Sequence, residues 1–482
     1  MPVVSISPLS RVEGHGTVTI TLSEKKVESL KLSVTAVRGF EKILEGRPLE
    51  DAPQISERIC GVCPITHHLA STKAVEAAWK IEAPAVAKKL RDLLGLGGML
   101  GSHALSFYFL AAPDYLIGPL SSPLERNIVG MIKKYPEIAK KAIALRRIGQ
   151  EICKVVGGRS VHPCACLPGG MSKGLSDEER DYLLRQVDEG LRVAEYTCAL
   201  AWRAMLDYKD LVEKLGFDGT GTYYAGLVNN GFHELYDGKE RVMDPNGKIV
   251  SEFDPSNYLE YFGEYVVPHS YTTHVYYIPA GYPEGLLRVN TLARLNIADK
   301  MPTPKAQDLL ERFRKEFGRP CHYPLTYNLA RAIEMMCITE RAKAILEDPE
   351  ITSDDYKVED ISPIEGEGVG CVEAPRGTLI HHYWSNNEGI LTKVNLIVAT
   401  NIHTASMEKT LLTAAKQIFE ENFLDRLKLS KSKINPRVDK NSLNLLEMLV
   451  RAHDPCFSCS AHIIVLDENG KELMKFEDKD AL

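Results

Sequence analysis

Two Cys-x-x-Cys pairs are the residues of this sequence with the clearest capacity for chemistry. Cys60 and Cys63 lie in RICGVCPITHH near the start of the 482-residue chain, and Cys456 and Cys459 lie in DPCFSCSAH near its end. If the fold brings the pairs together, they form a site of four thiolates. Soft sulfur ligands suit zinc, an iron–sulfur cluster or a late transition metal such as nickel. The choice among these metals decides the function.

The wide separation of the pairs bears on that choice. Structural zinc sites usually join cysteine pairs that are close in sequence, because they stabilise folds too small to bury a sufficient core. A chain of 482 residues, 44% of them hydrophobic, does not need that support. Spacing alone leaves a structural zinc site, or two unrelated cysteine pairs, as the competing interpretation.

The residues after the first pair favour a reactive metal site. A helical pattern begins near Thr66, and the amides at a helix N-terminus favour a thiolate over a thiol. His67 lies four residues after Cys63. Beside two cysteine pairs we expect its ring to form a hydrogen bond to a sulfur, whereas a lone histidine here would cap or pack the helix.

The composition excludes several classes of function. Lys and Arg number 58 and Asp and Glu 65, a net charge of −7 without a basic tract, so neither nucleic acid nor an anionic membrane surface is an expected partner. Eleven cysteines, and an N-terminus without a secretory pattern, predict a reducing cytoplasm. The remaining cysteines form no Cys-x-x-Cys-x-x-Cys run, so no iron–sulfur cluster is expected in this chain.

One apolar segment raises the question of a membrane. Residues 93–113 contain no Asp, Glu, Lys or Arg and are long enough to span a bilayer. Several glycines and serines lower the hydrophobicity, so we interpret the segment as a buried core helix with a small face for close packing, and we expect no membrane span.

Helical periodicity dominates the elements that must position these residues. Ser176 begins SDEE, which resembles an N-terminal capping box. Residues 14–35 alternate around a charged turn and predict a β-hairpin. The predicted helical segments are 67–112, 124–156, 176–215, 304–347, 407–425 and 438–452.

Two further regions are rich in turns and short strands. Residues 217–300 predict loops and hairpins, and in 358–400 the segments EAPRGTLIHHYW and KVNLIVAT predict two strands joined through SNNEG. The chain is therefore expected to be mainly α with small β regions, an α+β protein, and to form a single domain over 1–482.

Eight motifs in order carry a resemblance to a known family. RICGVCPITHH and DPCFSCSAH, together with six other motifs, resemble the large subunit of nickel–iron hydrogenases, most closely the cytoplasmic archaeal type that reduces viologen dyes rather than deazaflavin. The resemblance implies that family's fold, with long central helices and peripheral hairpins. The other motifs are RVEGHG at Arg11, RGFEKILEGR at Arg38, Pro113-Asp114, HPCACLPGG at His162, ARAIE at Ala330 and EAPRG at Glu373.

The resemblance implies a binuclear centre. Nickel is held by Cys60, Cys63, Cys456 and Cys459, and Cys63 and Cys459 also bridge to an iron with one carbonyl and two cyanide ligands. Electron-rich thiolates let nickel change oxidation state and leave an open bridging position, where dihydrogen is split into hydride and proton. Without clusters of its own, the chain must pass electrons to an iron–sulfur small subunit, then to a further electron-transfer subunit and heterodisulfide reductase.

The resemblance also assigns a route for the proton. The proton passes from the Cys456 sulfur to Glu13, a carboxyl group that can accept and donate within a relay. From RVEGHG alone, a surface salt bridge between Glu13 and Arg11 is the simpler interpretation, and the family match reverses that preference.

A third implied feature lies over the open metal position. Arg376 is expected there, near Asp114 and Asp454, either donating hydrogen bonds to a cyanide and the bound hydrogen species or acting as a base. The second role requires its very high pKa to be compensated by its neighbours. Pro375 and Thr400 are expected to contact the diatomic ligands.

A second metal is implied by Glu41 and His462, which match the family's magnesium site. Histidine is an unusual ligand for so hard an ion, so iron is the alternative occupant. An ion pair with Arg38 or Arg47 is the competing interpretation for Glu41. In the family a maturation protease removes the tail, here 463–482, although Asp467-Glu-Asn-Gly could instead turn two strands of a retained tail.

The pattern departs from the family at two places. The chain has Asn290-Thr-Leu-Ala-Arg294 where family members usually have Gly-Pro-Leu-Ala-Arg, and Ala399-Thr-Asn-Ile-His403 where they have a Thr or Ser pair with Trp-Asn.

Two other functions compete with the hydrogenase interpretation. A related quinone-reductase subunit has lost the nickel ligands, which this chain keeps. A zinc scaffold would leave Glu13, Arg376 and Asp114 without a purpose.

Overall fold

Long helices form the centre of the molecule. The computed structural model describes residues 2–24, 26–36, 39–359, 361–362, 364–421, 423 and 440–460. Within them the α-helices are α1 (Phe40–Leu44), α2 (Ala52–Ser56), α3 (Pro64–Trp79), α4 (Ala85–Ala104), α5 (Ala112–Leu116), α6 (Ile128–Lys134), α7 (Pro136–Gly157), α8 (Asp177–Asp207), α9 (Lys209–Lys214), α10 (Thr291–Ile297), α11 (Pro304–Phe317), α12 (Tyr327–Glu347), α13 (Ala399–Phe419) and α14 (Lys440–His453).

Small sheets lie around these helices. Their strands are β1 (Val3–Ile6), β2 (Thr17–Ser23), β3 (Lys26–Ser33), β4 (Cys166–Leu167), β5 (Gly170–Met171), β6 (Tyr223–Asn229), β7 (Phe232–His233), β8 (Lys239–Met243), β9 (Ile249–Phe253), β10 (Phe262–Tyr265), β11 (His274–Tyr277), β12 (Leu287–Arg288), β13 (Gly366–Ala374), β14 (Gly377–Ser385) and β15 (Leu391–Ile397). The sheet orders are β1-β2-β3, β12-β6-β8-β9 with β7 beside β6, β13-β14-β15, β10-β11 and β4-β5. The α+β class and the hairpin predicted at 14–35 are confirmed. The single domain stays a prediction.

Helix α4 is the apolar segment that raised the membrane question. By length and composition the stretch Ala85–Leu116 could cross a bilayer, but 72% of its most apolar window is buried inside the molecule. It packs on α3, α7 and α12. The packing with α7 is so close that a Cβ on Gly149 would lie only 2.6 Å from the Gly97 carbonyl oxygen. The small face serves close helix packing, as predicted.

The long predicted helical segments break at identifiable caps. The segment 67–112 divides where Lys80 takes a left-handed conformation (φ 56°) and Pro84 precedes α4. Asn127 caps α6 through its side chain, and Ser176 forms the predicted capping box with Glu179 at α8. For the predicted segment 407–425, helix α13 begins earlier, at Ala399. For the predicted segment 438–452, residues 438–439 lie outside the described part of the chain.

The strand predicted for EAPRGTLIHHYW is confirmed from Gly377 onward, as β14, but is wrong at its start. Glu373 and Ala374 end β13, and β14 begins at Gly377, with Ala374 paired to Gly377 across a two-residue turn. Proline lacks an N–H for a continuing ladder, and Gly377 has φ +124°, so the chain reverses there. Arg376 therefore lies at the tip of a hairpin. The predicted SNNEG turn is confirmed: the side chain of Asn386 accepts hydrogen bonds within it.

The end of KVNLIVAT was also predicted wrongly as strand. Strand β15 ends at Ile397, and α13 begins at Ala399, so Thr400 lies in the first turn of a helix. Alternation of apolar residues cannot distinguish a buried helix start from a buried strand end over so few residues.

Candidate metal centre

The four cysteines of the two Cys-x-x-Cys pairs meet in the interior. Their sulfur atoms all lie within 4.8 Å of one another, and all four residues are buried. The Sγ–Sγ distances are 3.2 Å for Cys60 and Cys456, 3.6 Å for Cys63 and Cys459, 4.0 Å for Cys63 and Cys456 and 2.6 Å for Cys456 and Cys459. Apart from the short Cys456–Cys459 separation, these distances are compatible with ligands of a shared metal position.

Local backbone hydrogen bonds hold the cysteine loops. The amides of Val62 and Cys63 donate to the Cys60 sulfur, at 3.2 and 3.4 Å, immediately before α3, whose N-cap position is Cys63. The amide of Cys456 donates to the Thr400 hydroxyl at 2.9 Å. The first turn of α13 thus supports the second pair, and Thr400 serves the loop.

The electrostatics of the four thiols call for a cation. Contacts with Cys456, Cys459 and Cys60, and then with the His67 ring, lower the pKa of Cys63 well below its ordinary value despite burial. Burial and the neighbouring sulfurs raise the pKa of Cys456 and Cys459 well above the ordinary value. The cluster therefore favours a thiolate at Cys63 and disfavours thiolates at Cys456 and Cys459. Only a metal ion would let all four ionise, and a donor set of sulfur alone fits nickel or zinc.

Arg376 distinguishes these metals. The hairpin turn places its guanidinium, 2% exposed, beside Asp454, with Nε donating to the Asp454 carbonyl at 3.0 Å and Nη2 lying 3.4 Å from Oδ1. Nη1 is buried and has no hydrogen-bond partner among the described residues. Burial alone would lower its pKa, but Asp454 and the sulfurs of Cys456, Cys63 and Cys60 raise it well above the ordinary value.

Such a donor fits a metal centre that carries its own acceptor ligands. A buried guanidinium is always charged, so an N–H left without a partner is costly unless an acceptor comes with the cofactor. A four-thiolate zinc site offers no acceptor besides the sulfurs. The residues present therefore fit a nickel–iron group with polar diatomic ligands better than they fit zinc.

Asp114 differs in its partners from the sequence expectation. It lies in α5, after a π-helical turn (Leu105–Ala111) that continues α4, and it is 1% exposed. Its carboxylate does not bond to Arg376 within the described part of the chain. Its ion pairs and hydrogen bonds run to Arg11 at 2.5 Å, Arg451 at 2.9 Å, Asn444 at 3.1 Å and Arg126 at 3.3 Å.

Glu13 is held at the cysteine loop rather than at Arg11. Its carboxylate accepts hydrogen bonds from the amide of Ser458, at 3.2 Å, and from the Ser458 hydroxyl. Its backbone pairs with the loop as well, since the Phe457 amide donates to the Glu13 carbonyl at 3.2 Å. Arg11 instead pairs with Asp114. The half-buried carboxylate thus lies between the cysteine loop and the surface.

His67 begins a buried chain of polar groups. Its Nδ1 lies 3.0 Å from Nε2 of His381, whose Nδ1 lies 2.6 Å from the Tyr383 hydroxyl. That hydroxyl lies 2.8 Å from the Ser71 hydroxyl. The ring of His67 is therefore fixed between Cys63 and strand β14, as its predicted contact with a sulfur requires.

The remaining predicted residues divide between described and undescribed parts. Glu41 lies in α1, and its carboxylate accepts the Leu396 amide at 2.8 Å. Pro375 lies in the turn before Arg376. His462, Arg38 and the tail 463–482, including the predicted turn at Asp467, lie outside the described residues.

A buried ion network that the sequence did not reveal joins the ARAIE and EAPRG motifs to Arg294. Arg294 donates to both oxygens of Glu334, at 2.7 and 2.6 Å, and to Glu373 at 2.5 Å. All three side chains have 0% exposure. His103 and His233 also contact Glu334. Charged residues inside the otherwise apolar runs TLARL, ARAIEMM and CVEAP were the signal, because a buried charge requires a partner.

Two family models match the chain. The model described as nickel-dependent hydrogenase matches residues 38–118 and 263–462, more than half of the chain. A second model, described as HoxL-like, matches residues 3–37. Together these matches contain both cysteine pairs.

Curated relatives extend over nearly the whole chain. A vhu-type F420-non-reducing hydrogenase subunit of Methanocaldococcus jannaschii is 50% identical over 418 residues, which cover 86% of this chain and 99% of that protein. An F420-non-reducing hydrogenase subunit of Methanothermobacter marburgensis is 40% identical over 467 residues, 96% of this chain and 95% of that protein.

Solved structures share the fold. A chain from the crystal structure of an NAD⁺-reducing [NiFe]-hydrogenase in the H2-reduced state has a TM-score of 0.88 and 37% identity, covering 96% of this chain and 100% of that one. The Ni-Fe-Se hydrogenase of D. vulgaris Hildenborough, with a TM-score of 0.75, 24% identity and the same coverage, shows likeness of fold alone.

Proposed function

The chain belongs to the nickel-dependent hydrogenase family as a large, catalytic subunit, and from that premise we propose which residues hold its centre and where its electrons go. Cys60, Cys63, Cys456 and Cys459 would hold a nickel–iron group whose iron carries one carbonyl and two cyanide ligands. When bound, this group supplies the heterolytic cleavage of dihydrogen. The observation that carries the proposal is the meeting of four sulfur atoms within 4.8 Å.

Arg376 orients and polarises what binds beside the metals. Its raised pKa makes it a permanent cation, so it acts as a hydrogen-bond donor rather than a base. Asp454 holds Nε and Nη2, so Nη1 would be the atom that donates to a polar ligand of the bound group. Pro375 and Thr400 support the same side of the site through the hairpin turn and the Cys456 amide.

Glu13 takes the proton away from the centre. Its backbone pairs with Cys456 and its carboxylate lies at Ser458, two residues along the loop. The proton passes from Cys456 Sγ to the Glu13 carboxylate and leaves from this half-buried group toward solvent. Asp114 acts indirectly, because it fixes Arg11 and Arg451 around the segment that carries Glu13.

The electrons leave through other subunits. The relatives are named as subunits of F420-non-reducing hydrogenases, which fits an iron–sulfur small subunit as the direct partner. We assign a further electron-transfer subunit and heterodisulfide reductase to the onward path, and the cytoplasm as the compartment. Glu41 and His462 hold magnesium or iron, and a maturation protease acts on the tail 463–482 of this single-domain chain.

Isotope exchange tests the catalytic part of the proposal without the electron partners. The complex is purified from its native host and supplied with D2 in H2O, and formation of HD is followed. Cys60→Ala is expected to abolish exchange and nickel incorporation, whereas Cys337→Ala, which removes an equally buried thiol in α12, keeps both. Exchange that survives in Cys60→Ala would overturn the assignment.

A further inference from the structure

A second cluster of metal-binding side chains lies outside the four-cysteine site. His269 and His274 flank the loop before β11, and Glu408 lies in the middle of α13. One ligand atom from each lies within 4.8 Å of the other two. Nε2 of His269 and Oε2 of Glu408 are 2.9 Å apart, a separation that two ligands of one ion also adopt when each bond is about 2.1 Å.

His274 has a nitrogen atom without a hydrogen-bond partner in the described part of the chain. The side chain is 1% exposed, and its Nδ1 lies 3.2 Å from the Tyr282 hydroxyl. Its Nε2 is buried without a hydrogen-bond partner among the described residues. With Nδ1–H donating to Tyr282, the Nε2 lone pair is free, which is the arrangement of a metal-bound histidine and its supporting acceptor. Burial also lowers the pKa of His274 to about 4, so the ring is neutral.

Glu408 is oriented for the same position. Its Oε2 accepts the Leu32 amide at 2.8 Å, which fixes the carboxylate between β3 and the histidine loop. The side chains of Glu408 and His269 are 21% and 14% exposed. An ion can therefore enter from solvent, and water can complete its coordination.

We propose that His269, His274 and Glu408 form a second divalent-metal site of the zinc class, independent of the hydrogenase centre. Two imidazoles and one carboxylate are a common set for zinc with an open position, and ferrous iron has the same preference. Magnesium and calcium prefer oxygen ligands and do not suit two imidazoles. The absence of sulfur from the set separates this site chemically from the four cysteines.

The metal would stabilise the segment that follows Cys459. The loop between the two histidines carries Thr272, whose hydroxyl lies 3.0 Å from the Ser460 hydroxyl, and Thr273, which accepts from Asn401 of α13 at 3.0 Å. An ion that ties this loop to α13 therefore also fixes the loop against Ser460. We expect a structural role there.

Zinc binding to the intact complex tests the site. The complex is washed with EDTA, equilibrated with zinc and desalted, and its zinc content is measured for wild type, His274→Gln and Glu408→Gln. His382→Gln is the matched control, because His382 and Glu367 form a pair of the same 2.9 Å length outside any three-ligand cluster of the described residues. Wild type and His382→Gln are expected to retain about one zinc per chain more than the other two variants.

Zinc-edge X-ray absorption on the wild-type complex gives a second measurement that does not depend on the variants folding. The spectrum is expected to show two imidazole ligands and oxygen ligands at the zinc, and no sulfur. In a separate measurement, zinc should raise the unfolding temperature of wild type but not that of His274→Gln. Equal zinc in wild type and His274→Gln, sulfur at the zinc, or no retained zinc would overturn the proposal. In each of these cases the 2.9 Å contact is only an ion pair.

Discussion

Replacement of Arg294 by methionine is expected to destabilise the protein strongly. The guanidinium makes three short contacts with Glu334 and Glu373 and a fourth with the Ala374 carbonyl at 3.2 Å. In Arg294→Met two carboxylates with 0% exposure lose their cation. Breaking a buried ion pair by removing one partner costs about 3–5 kcal/mol.

The size of the effect can be converted into an unfolding temperature. An unfolding entropy of about 2.1 cal/mol/K per residue gives roughly 1 kcal/mol/K for a chain of 482 residues. We therefore expect the midpoint to fall by about 3–5 °C, measured by calorimetry on the intact complex at one scan rate. Arg147→Met is the control, because Arg147 and its partner Glu189 are 47% and 40% exposed and such pairs contribute about 0–1 kcal/mol.

A double variant makes the reasoning refutable. Adding Glu373→Gln to Arg294→Met removes one of the two uncompensated charges, so part of the lost stability should return. The account of this network is wrong if Arg294→Met unfolds within 1 °C of wild type, which is about 1 kcal/mol. It is also wrong if Glu373→Gln lowers the stability of Arg294→Met by a further full ion-pair loss.

Three further predictions concern single groups. Glu13→Gln should slow HD formation by about 10²–10⁴-fold while the metals stay bound, because the amide keeps the contact with Ser458 but cannot take a proton. A decrease in the exchange rate of less than about tenfold would contradict the proton relay. Arg376→Lys should slow the reaction by about 10²–10³-fold through loss of the Nη1 donor, and a rate within a few-fold of wild type would remove its proposed role. Burial raises the pKa of Glu57 from 4.5 to about 7, so the folded protein binds a proton at Glu57 more tightly than the unfolded chain does. The stability that this proton contributes is present in full below pH 4.5 and is lost as the pH rises through 7. The free energy of unfolding of Glu57→Gln should therefore exceed that of wild type by up to about 3 kcal/mol at pH 8 but not at pH 4.5, measured as a difference in unfolding midpoints. A difference in stability that does not depend on pH would contradict this.

The motifs of the sequence were enough to predict the four-cysteine cluster and the helical fold. The capping box at Ser176 and the glycines of the α4–α7 contact act locally, so the sequence alone indicates them, whereas the meeting of the two Cys-x-x-Cys pairs followed from the family resemblance. The turn at Pro375 was also visible in principle. Its proline and glycine should have outweighed the β-branched and aromatic residues that follow.

Long-range pairing explains what the sequence could not show. Asp114 has several arginines as possible partners, and nothing in RVEGHG or EAPRG tells which of them reaches it. The His269 and Glu408 pair joins residues 139 positions apart on a loop and a helix without a motif. Partners of buried charges depend on tertiary packing, which a local pattern does not encode.

Infrared spectroscopy between the amide and water bands, with nickel and zinc analysis of the same sample, tests the central claim most directly. The complex matured in its native host should show sharp carbonyl and cyanide bands and about one nickel per chain at the four cysteines. The cyanide bands should shift in Arg376→Lys, because Nη1 no longer donates to a cyanide. Zinc bound by sulfur, with no nickel and no such bands, would contradict the assignment of a nickel–iron centre to this chain.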